Sequence, residues 1–281
     1  MLKVTDARAA LRAELVERGI APHEARWLIE EYFVGAQADE ADVVRAAAQR
    51  RLAGEPLQYI IGHWPFRGLD LDVDPRVLIP RPETEELVGL ALEALATSGL
   101  SAPRLLDLGC GSGAIGLSLL DELRARGVGA TLVALDESED ALAVAKRNAL
   151  KHRLLAVSFV HSYWFDDLDP SLRGRFDLIA ANPPYVAAAD FESLDPILRH
   201  EPFGALVAPD IDGVPGFEDV ARIIQHAPEW LTDEGVLIVE HSEHHGFAAC
   251  EWARRAGFAS ARTVKDVAGS DRFLVARRSQ A

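Results

Sequence analysis

Residues 105–113 read Leu105-Leu106-Asp107-Leu108-Gly109-Cys110-Gly111-Ser112-Gly113. The apolar residues before Gly109 are typical of a buried β-strand, and the three glycines are typical of a tight turn. A strand that passes through a glycine-rich turn into a helix is the first half of a βαβ unit. Because glycine has no Cβ atom, such a turn allows the backbone to approach a ligand closely. The segment therefore predicts an α/β sheet with a site for a nucleotide-like cofactor.

The chain after residue 103 repeats this alternation of strand and helix. Strands are predicted at 104–108, 131–136, 157–161, 176–181, 236–241, 260–264 and 273–276, and helices at 113–126, 139–152, 216–227 and 247–256. Near-continuous apolar strands separated by helices indicate a parallel sheet that is covered on both faces. We therefore expect an α/β fold class, with a Rossmann-like domain over residues 81–281 that contains a mostly parallel sheet.

The first 80 residues have a different pattern. Three amphipathic helices are predicted within residues 1–60, and each is too short to be stable alone, so they should pack as a small bundle. Residues 61–80 are predicted to form a β-hairpin linker, in which a strand at 69–73 turns at Pro75-Arg76 into a second strand at 77–79. The sequence therefore predicts a helical domain, a hairpin and then the α/β domain.

Composition argues against several classes of protein. The chain has 281 residues, of which 49% are hydrophobic, and its formal net charge is −15. Proteins that bind nucleic acid usually carry a basic balance, so we expect no direct contact with nucleic acid. The two cysteines cannot form a disulfide framework, which fits a reducing cytoplasm. We find no signal peptide and no apolar stretch long enough to span a bilayer, so we expect a cytoplasmic protein without a membrane partner.

A cofactor site is predicted around the glycine turn. Residues 111–116 match the pattern G-x-G-x-x-G, and the acidic Asp136 follows about 20 residues later. This pattern alone permits NAD, FAD or S-adenosylmethionine, since an acidic side chain can accept the ribose hydroxyls of each. Asp107 favours S-adenosylmethionine, because a carboxylate suits a cationic amino-acid group and would repel a pyrophosphate. Trp164 has two interpretations, a cover for an adenine ring or a core aromatic.

The stretch Asn182-Pro183-Pro184-Tyr185 follows the predicted strand at 176–181. The prolines fix φ and have no N–H, which makes the segment rigid. The Asn182 oxygen and the Pro183 carbonyl can accept the two hydrogens of a planar –NH2 group, and the Tyr185 ring can stack on its plane. Such a site aligns an amide nitrogen with a methyl donor and needs no strong base. The stretch therefore predicts methyl transfer to nitrogen; the alternative is a rigid exit from the strand with Tyr185 as packing.

The run Glu240-His241-Ser242-Glu243-His244-His245 contains residue types that bind metals. It lacks the helical H-E-x-x-H spacing and follows a strand, so we predict a solvated edge and no metal site. The chain also has no G-x-x-x-x-G-K-[ST] or G-x-S-x-G motif, which argues against the usual P-loop and hydrolase sites.

Several stretches, in order, resemble the release-factor glutamine N5-methyltransferase family. They are residues 54–62 (Gly54-Glu55-Pro56-Leu57-Gln58-Tyr59-Ile60-Ile61-Gly62), residues 77–85 (Val77-Leu78-Ile79-Pro80-Arg81-Pro82-Glu83-Thr84-Glu85), the glycine turn, residues 182–185, and residues 266–272 (Asp266-Val267-Ala268-Gly269-Ser270-Asp271-Arg272). The resemblance covers nearly the whole chain, whereas residues 182–185 alone are also similar to adenine-N6 methyltransferases. Cys110 departs from the family, in which a threonine is common there.

The resemblance implies a fold and a set of binding residues. The fold is a methyltransferase domain with an antiparallel last strand. The residues implied to bind S-adenosylmethionine, together with Asp107, are Gly109, Cys110, Gly111, Ser112, Gly113, Asp136, Trp164 and Asn182. Those implied to hold the substrate glutamine are Asn182, Pro183, Pro184 and Tyr185, of which Asn182, Pro183 and Tyr185 form the catalytic set. The N-terminal helical domain is implied to engage the release factor.

We therefore expect a monomeric enzyme that methylates the side-chain amide nitrogen of the glutamine in the Gly-Gly-Gln motif of peptide chain release factors. S-adenosylmethionine is the expected methyl donor and S-adenosylhomocysteine the product. The alternatives are a methyltransferase for a ribosomal-protein glutamine or for a nucleic-acid adenine, and a catalytically silent protein that binds release factors.

Overall fold

The computed structural model describes residues 2–35 and 37–278. Residues 1, 36 and 279–281, which the predicted domains include, lie outside the described residues. The chain divides into two compact units. One contains the described residues up to His63 together with Asp195–His200, and the other contains Trp64–Leu194 and the described residues from Glu201 onward. No helix of the described residues is both long and apolar enough to cross a membrane.

The first unit is built from helices. They are α1 (Leu2–Glu17), α2 (Pro22–Tyr32), α3 (Ala38–Leu52) and the short α4 (Leu57–Ile61). Proline at the first position of α2 suits its start, because the N–H that proline lacks has no partner inside a helix there. The apolar faces meet in one core, in which Leu15, Leu28 and Val44 are fully buried. The sequence predicted three helices and missed α4.

A hairpin forms within the predicted linker; the predicted strand at 69–73 is one of its strands, but the partner strand precedes it in the chain. Strands β1 (His63–Phe66) and β2 (Leu69–Asp72) pair as a two-stranded sheet. The prediction of a strand at 77–79 is wrong, because the backbone there has other partners. The Val77 N–H donates to the Asp74 carbonyl at 3.1 Å, and the Ile79 N–H donates to the Glu201 carboxylate at 3.0 Å.

The rest of the second unit alternates strands and helices. In chain order these are α5 (Pro82–Ser98), β3 (Arg104–Leu108), α6 (Ala114–Ala125), β4 (Thr131–Asp136), α7 (Glu139–Lys151), β5 (Val157–His161), β6 (Phe176–Ala181), β7 (Val186–Ala187), β8 (Val207–Ala208), α8 (Glu218–Trp230), β9 (Leu231–Glu240), α9 (Gly246–Arg255), β10 (Phe258–Lys265) and β11 (Asp271–Arg278). Short 3₁₀ turns lie between β7 and β8.

Seven of these strands form one sheet in the order β10-β11-β9-β6-β3-β4-β5. The pairs from β9 to β5 are parallel, and β11 is antiparallel to both of its neighbours. The predicted Rossmann-like sheet with an antiparallel last strand is therefore confirmed. Alternate residues of β3 face opposite cores: Leu105 packs with α5 and α6, and Leu106 packs with α8 and α9.

The strand order creates a crevice at one edge of the sheet. The chain passes from β3 outward through β4 to β5 and then returns to β6 on the other side of β3. In open α/β sheets, ligands bind outside the carboxyl ends of the strands at such a switch point. The glycine turn follows β3 and residue 182 follows β6, so the two predicted sites flank this crevice.

Candidate functional site

A cavity of about 460 Å³ lies at the carboxyl edge of the parallel strands. Among the predicted site residues, its wall includes Gly109, Cys110, Gly111, Ser112, Asp136, Trp164, Asn182 and Pro184. Asp107, Gly113, Pro183 and Tyr185 are not part of that wall. The fold therefore brings the glycine turn and the Asn182 stretch to one cavity, although they are about 70 residues apart in sequence.

The glycine turn is held in a conformation that other residues rarely adopt. Gly109 has φ +67°, and a Cβ atom there would lie 3.3 Å from a ring carbon of Trp164. A Cβ atom at Gly116, in the first turn of α6, would lie 2.8 Å from Asp107 Oδ2. Gly116 therefore leaves no room for a Cβ atom beside the strand, and at Gly109 the positive φ and the nearby tryptophan ring both disfavour a side chain.

Asp136 lies at the end of β4 and is anchored by backbone N–H groups. Gly111 donates to its Oδ2 at 2.8 Å and Ser138 donates to its Oδ1 at 3.0 Å. Burial raises the pKa of this carboxyl, and the two backbone hydrogen bonds oppose that effect. A carboxylate oxygen can accept more than one hydrogen bond, so each oxygen can still accept from a group in the cavity. The arrangement suits a pair of neighbouring hydroxyls.

Asp107 lies behind the glycine turn and is only 1% exposed. Its Oδ2 accepts the Gly116 N–H at 2.9 Å, while its Oδ1 is buried and has no hydrogen-bond partner among the described residues. Burial raises the pKa of Asp107 to about 7. Because the carboxyl is not on the cavity wall, a contact with a cationic group would require a bridging group such as an ordered water.

The indole ring of Trp164 is fixed by a buried aspartate. Its Nε1 donates to Asp219 Oδ1 at 2.9 Å, and the Tyr163 hydroxyl donates to the same atom at 3.0 Å. Trp164 is buried and also lines the cavity, so the two interpretations left open by the sequence are compatible. Asp219, in α8, was not singled out from the sequence.

Asn182 begins a series of polar side chains that are joined by hydrogen bonds. Its Nδ2 donates to Thr84 Oγ1 at 3.1 Å, and the Thr84 hydroxyl donates to Glu240 Oε2 at 2.8 Å. The Tyr185 hydroxyl donates to the other oxygen of that carboxylate at 3.1 Å. Burial raises the pKa of Glu240 to about 7, and the hydrogen bonds from Thr84 and Tyr185 oppose the shift. Burial also raises the pKa of Tyr185, so its hydroxyl keeps its proton.

The prediction of a solvated edge at residues 240–245 is wrong for half of its members. Glu240, His241 and His245 are buried, whereas Glu243 and His244 are exposed. Burial lowers the pKa of His241 to about 4, so its ring is neutral, and its Nε2 lies 3.1 Å from Thr263 Oγ1. Across the described part of the chain, no three His, Cys, Asp or Glu residues form a group suited to a metal ion.

Sequence reasoning missed Thr84 and Glu240 as parts of the site. Thr84 lies within residues 77–85, one of the stretches that carried the resemblance, and this was the only signal for it. Glu240 lies one residue before the end of the predicted strand at 236–241, and it is 156 positions from Thr84 in the sequence. Periodicity shows which residues share a face of one element and cannot show that two distant side chains meet.

Comparisons with known proteins agree with this architecture. A family model described as a methyltransferase domain matches residues 100–266. The chain is 38% identical over 237 residues to the release factor glutamine methyltransferase of Aliivibrio fischeri, covering 84% of this chain and 79% of the relative. It is 35% identical over 298 residues to the release factor glutamine methyltransferase of Bifidobacterium longum, covering 97% of this chain and 99% of the relative.

A solved structure supports the fold. The crystal structure of a methyltransferase from Pyrococcus furiosus matches with a TM-score of 0.51 and 17% sequence identity, over 75% of this chain and 90% of that chain. At this identity the likeness concerns the sheet and its helices alone.

Proposed function

Because the chain belongs to the release factor glutamine methyltransferase family, we propose that it transfers a methyl group from S-adenosylmethionine to the side-chain amide nitrogen of a glutamine in a peptide chain release factor. The observation that carries the proposal at the site is the Asn182 carboxamide, which lines the cavity while its Nδ2 is bound to Thr84. The glutamine of a Gly-Gly-Gln motif is the proposed acceptor. In this proposal the helical unit engages the release factor, and the enzyme works in the cytoplasm.

The residues on the cavity wall fit S-adenosylmethionine. Asp136 has acceptor capacity for two ribose hydroxyls, and the fixed Trp164 ring supplies a flat apolar wall. Asp107 Oδ1, which has no hydrogen-bond partner within the described part of the chain, is a buried acceptor near the glycine turn, which suits a cationic amino group reached through water. When bound, S-adenosylmethionine supplies a methyl group on a sulfonium, open to attack by a nucleophile.

The chain's own part in the reaction is to hold the acceptor nitrogen. An amide nitrogen is a poor nucleophile, because its lone pair is delocalised into the carbonyl. In this proposal Asn182 Oδ1 accepts one N–H of the glutamine. The proposal keeps the Pro183 carbonyl as the second acceptor and the Tyr185 ring as the stacking surface; neither residue lines the cavity, so the substrate amide must reach past the wall to meet them. These contacts fix the direction of nitrogen attack, which is the main contribution that a positioning site makes. As the new C–N bond forms, the methyl–sulfur bond of the donor would break and S-adenosylhomocysteine would leave. The nitrogen becomes more acidic in this step, and one of its hydrogens leaves as a proton to water.

A transfer assay tests this function directly. The purified chain is incubated with methyl-labelled S-adenosylmethionine and a release factor, and the label is mapped by mass spectrometry. We expect one methyl group on the Gly-Gly-Gln glutamine and none on a release factor whose motif glutamine is replaced by alanine. Parallel reactions contain ribosomal protein or adenine-containing DNA. Label on either of these alone would replace the proposed substrate, and release-factor binding without label anywhere would indicate a silent binding protein.

A substitution of Asp219 tests the wall of the cofactor site. Asp219→Ala removes the acceptor of the Trp164 and Tyr163 hydrogen bonds, so the indole N–H is left buried without a partner, which costs about 1–3 kcal/mol. We expect a lower Tm and roughly tenfold weaker binding of S-adenosylhomocysteine by calorimetry. Asp219→Asn keeps a carbonyl acceptor and is the matched control. Equal affinity of the alanine variant and wild type would show that the ring does not contact the cofactor.

A further inference from the structure

Glu240 is a buried acidic residue to which the proposed reaction assigns no step. It ends β9, is 1% exposed, and does not line the cavity. A buried carboxylate is costly unless its oxygens are hydrogen-bonded. Its two oxygens each accept from a hydroxyl, one from Thr84 and one from Tyr185. The Tyr185 hydroxyl belongs to the proposed glutamine-binding stretch at 182–185, and the Thr84 hydroxyl accepts a hydrogen bond from Asn182 of that stretch.

The direction of these hydrogen bonds determines how Thr84 meets Asn182. A threonine hydroxyl has one hydrogen to donate and two lone pairs. Thr84 donates its hydrogen to Glu240 at 2.8 Å, so only its lone pairs face Asn182. If Asn182 Oδ1 lay next to Thr84 Oγ1, two acceptors would face each other. Asn182 Nδ2 in the same place can donate a hydrogen bond to that hydroxyl oxygen. The observed contact is of the second kind, with Asn182 Nδ2 at 3.1 Å from Thr84 Oγ1.

The two ends of an asparagine carboxamide have nearly the same shape and opposite hydrogen-bonding character. A rotation by half a turn about the last side-chain bond would exchange the positions of the acceptor and the donor. With Nδ2 bound to Thr84, Oδ1 points away from that hydroxyl, and no donor among the described residues bonds to it. An oxygen in this position can accept an N–H of a substrate amide, which a nitrogen cannot do.

We propose that Glu240 is a positioning residue, which acts through Thr84 to orient the Asn182 carboxamide with its oxygen toward the acceptor amide, and which also holds the Tyr185 ring. This inference rests on the proposed function, because the favoured orientation is the one that an –NH2 acceptor requires. Burial raises the pKa of Glu240 to about 7, and the charge of Arg272 opposes that rise, so above this pH the group is a carboxylate, which can only accept hydrogen bonds.

The first test observes Asn182 itself and needs no substrate. Hydrogen exchange of the Asn182 side-chain amide is measured by NMR in wild type, Thr84→Ser, Thr84→Val and Glu240→Gln. We expect protected amide hydrogens in wild type and Thr84→Ser, and exchange faster by roughly fivefold to tenfold in Thr84→Val, the effect of losing one hydrogen bond. Glu240→Gln offers only one carbonyl oxygen to two hydroxyls, so we expect exchange between these values. Unchanged exchange in both Thr84→Val and Glu240→Gln would overturn the inference.

The second test measures turnover and includes a matched control. Thr97→Val removes a hydroxyl from the same helix that donates only to the Ala94 carbonyl at 2.7 Å, and we expect wild-type turnover from it. Thr84→Val and Glu240→Gln should each lower kcat by roughly tenfold or more, with S-adenosylhomocysteine affinity near wild type. A lower Tm is expected in both, because each variant removes a hydrogen bond from a buried group.

A double variant separates positioning from a general loss of packing. If Glu240 acts through Thr84, the Thr84→Val variant has already lost the effect of Glu240 on Asn182. Adding Glu240→Gln to that variant should therefore lower kcat little further. Losses that multiply, or wild-type kcat in Glu240→Gln, would contradict the inference. If the exchange results hold but no release factor is methylated, the orientation is correct and the proposed function fails.

Discussion

Asn182→Ala is expected to lower kcat by about 10²-fold or more, the usual effect of removing one positioned polar group from an active site. The alanine loses the oxygen that accepts from the substrate amide in the proposed reaction. It also loses the Nδ2 donor to Thr84. The measurement is single-turnover methylation of a release factor with saturating S-adenosylmethionine, so that product release does not limit the rate.

The same variant should bind S-adenosylhomocysteine nearly as tightly as wild type. Most of the predicted cofactor contacts come from other residues of the cavity wall, among them Asp136 and Trp164. Asn182→Asp is the matched control: it keeps an acceptor for the substrate and loses the donor to Thr84, so we expect an intermediate kcat. Turnover of Asn182→Ala within about threefold of wild type would remove Asn182 from the reaction.

The sheet and the position of its site follow from local patterns that the sequence contains. An apolar strand before a glycine turn predicts β3 and its turn, and the acidic residue at the end of the next strand predicts Asp136. These features depend on neighbours within one element or one βαβ unit. They are therefore encoded by spacing along the chain, and the structure has β3 and β4 where the sequence predicts them.

The residues that the sequence did not predict depend on contacts between distant elements. Glu240 looked like part of a solvated edge because it begins a polar run, yet it is buried by its contacts with Thr84 and Tyr185. The segment at 77–79 looked like a strand because it is apolar, yet the carboxylate of Glu201 takes the backbone N–H of Ile79. Both errors have one cause: a buried charge can be placed only when its partners are known, and these partners lie 55, 122 and 156 residues away.

Asp136→Ala should give the largest loss of cofactor affinity. In the proposed complex the Asp136 carboxylate accepts from ribose hydroxyls, and hydrogen bonds to a charged group contribute about 1.5–3 kcal/mol. Loss of this group should weaken S-adenosylhomocysteine binding by roughly 10-fold to 100-fold in calorimetry. The variant also loses the acceptor for the Gly111 and Ser138 N–H groups, so a lower Tm is expected as well.

The affinity of the wild-type protein for S-adenosylhomocysteine should also depend on pH, because the Asp136 carboxylate can be protonated. Burial raises the pKa of Asp136 above its usual value, so its protonated form appears at a higher pH than that of an exposed aspartate. A protonated carboxyl has fewer free lone pairs to accept hydroxyls, and we therefore expect affinity to fall as pH decreases through this raised pKa. Asp136→Asn, which does not titrate, should bind more weakly than wild type at neutral pH and lose less affinity on acidification. If Asp136→Ala binds S-adenosylhomocysteine as wild type does, the ribose is held elsewhere on the cavity wall.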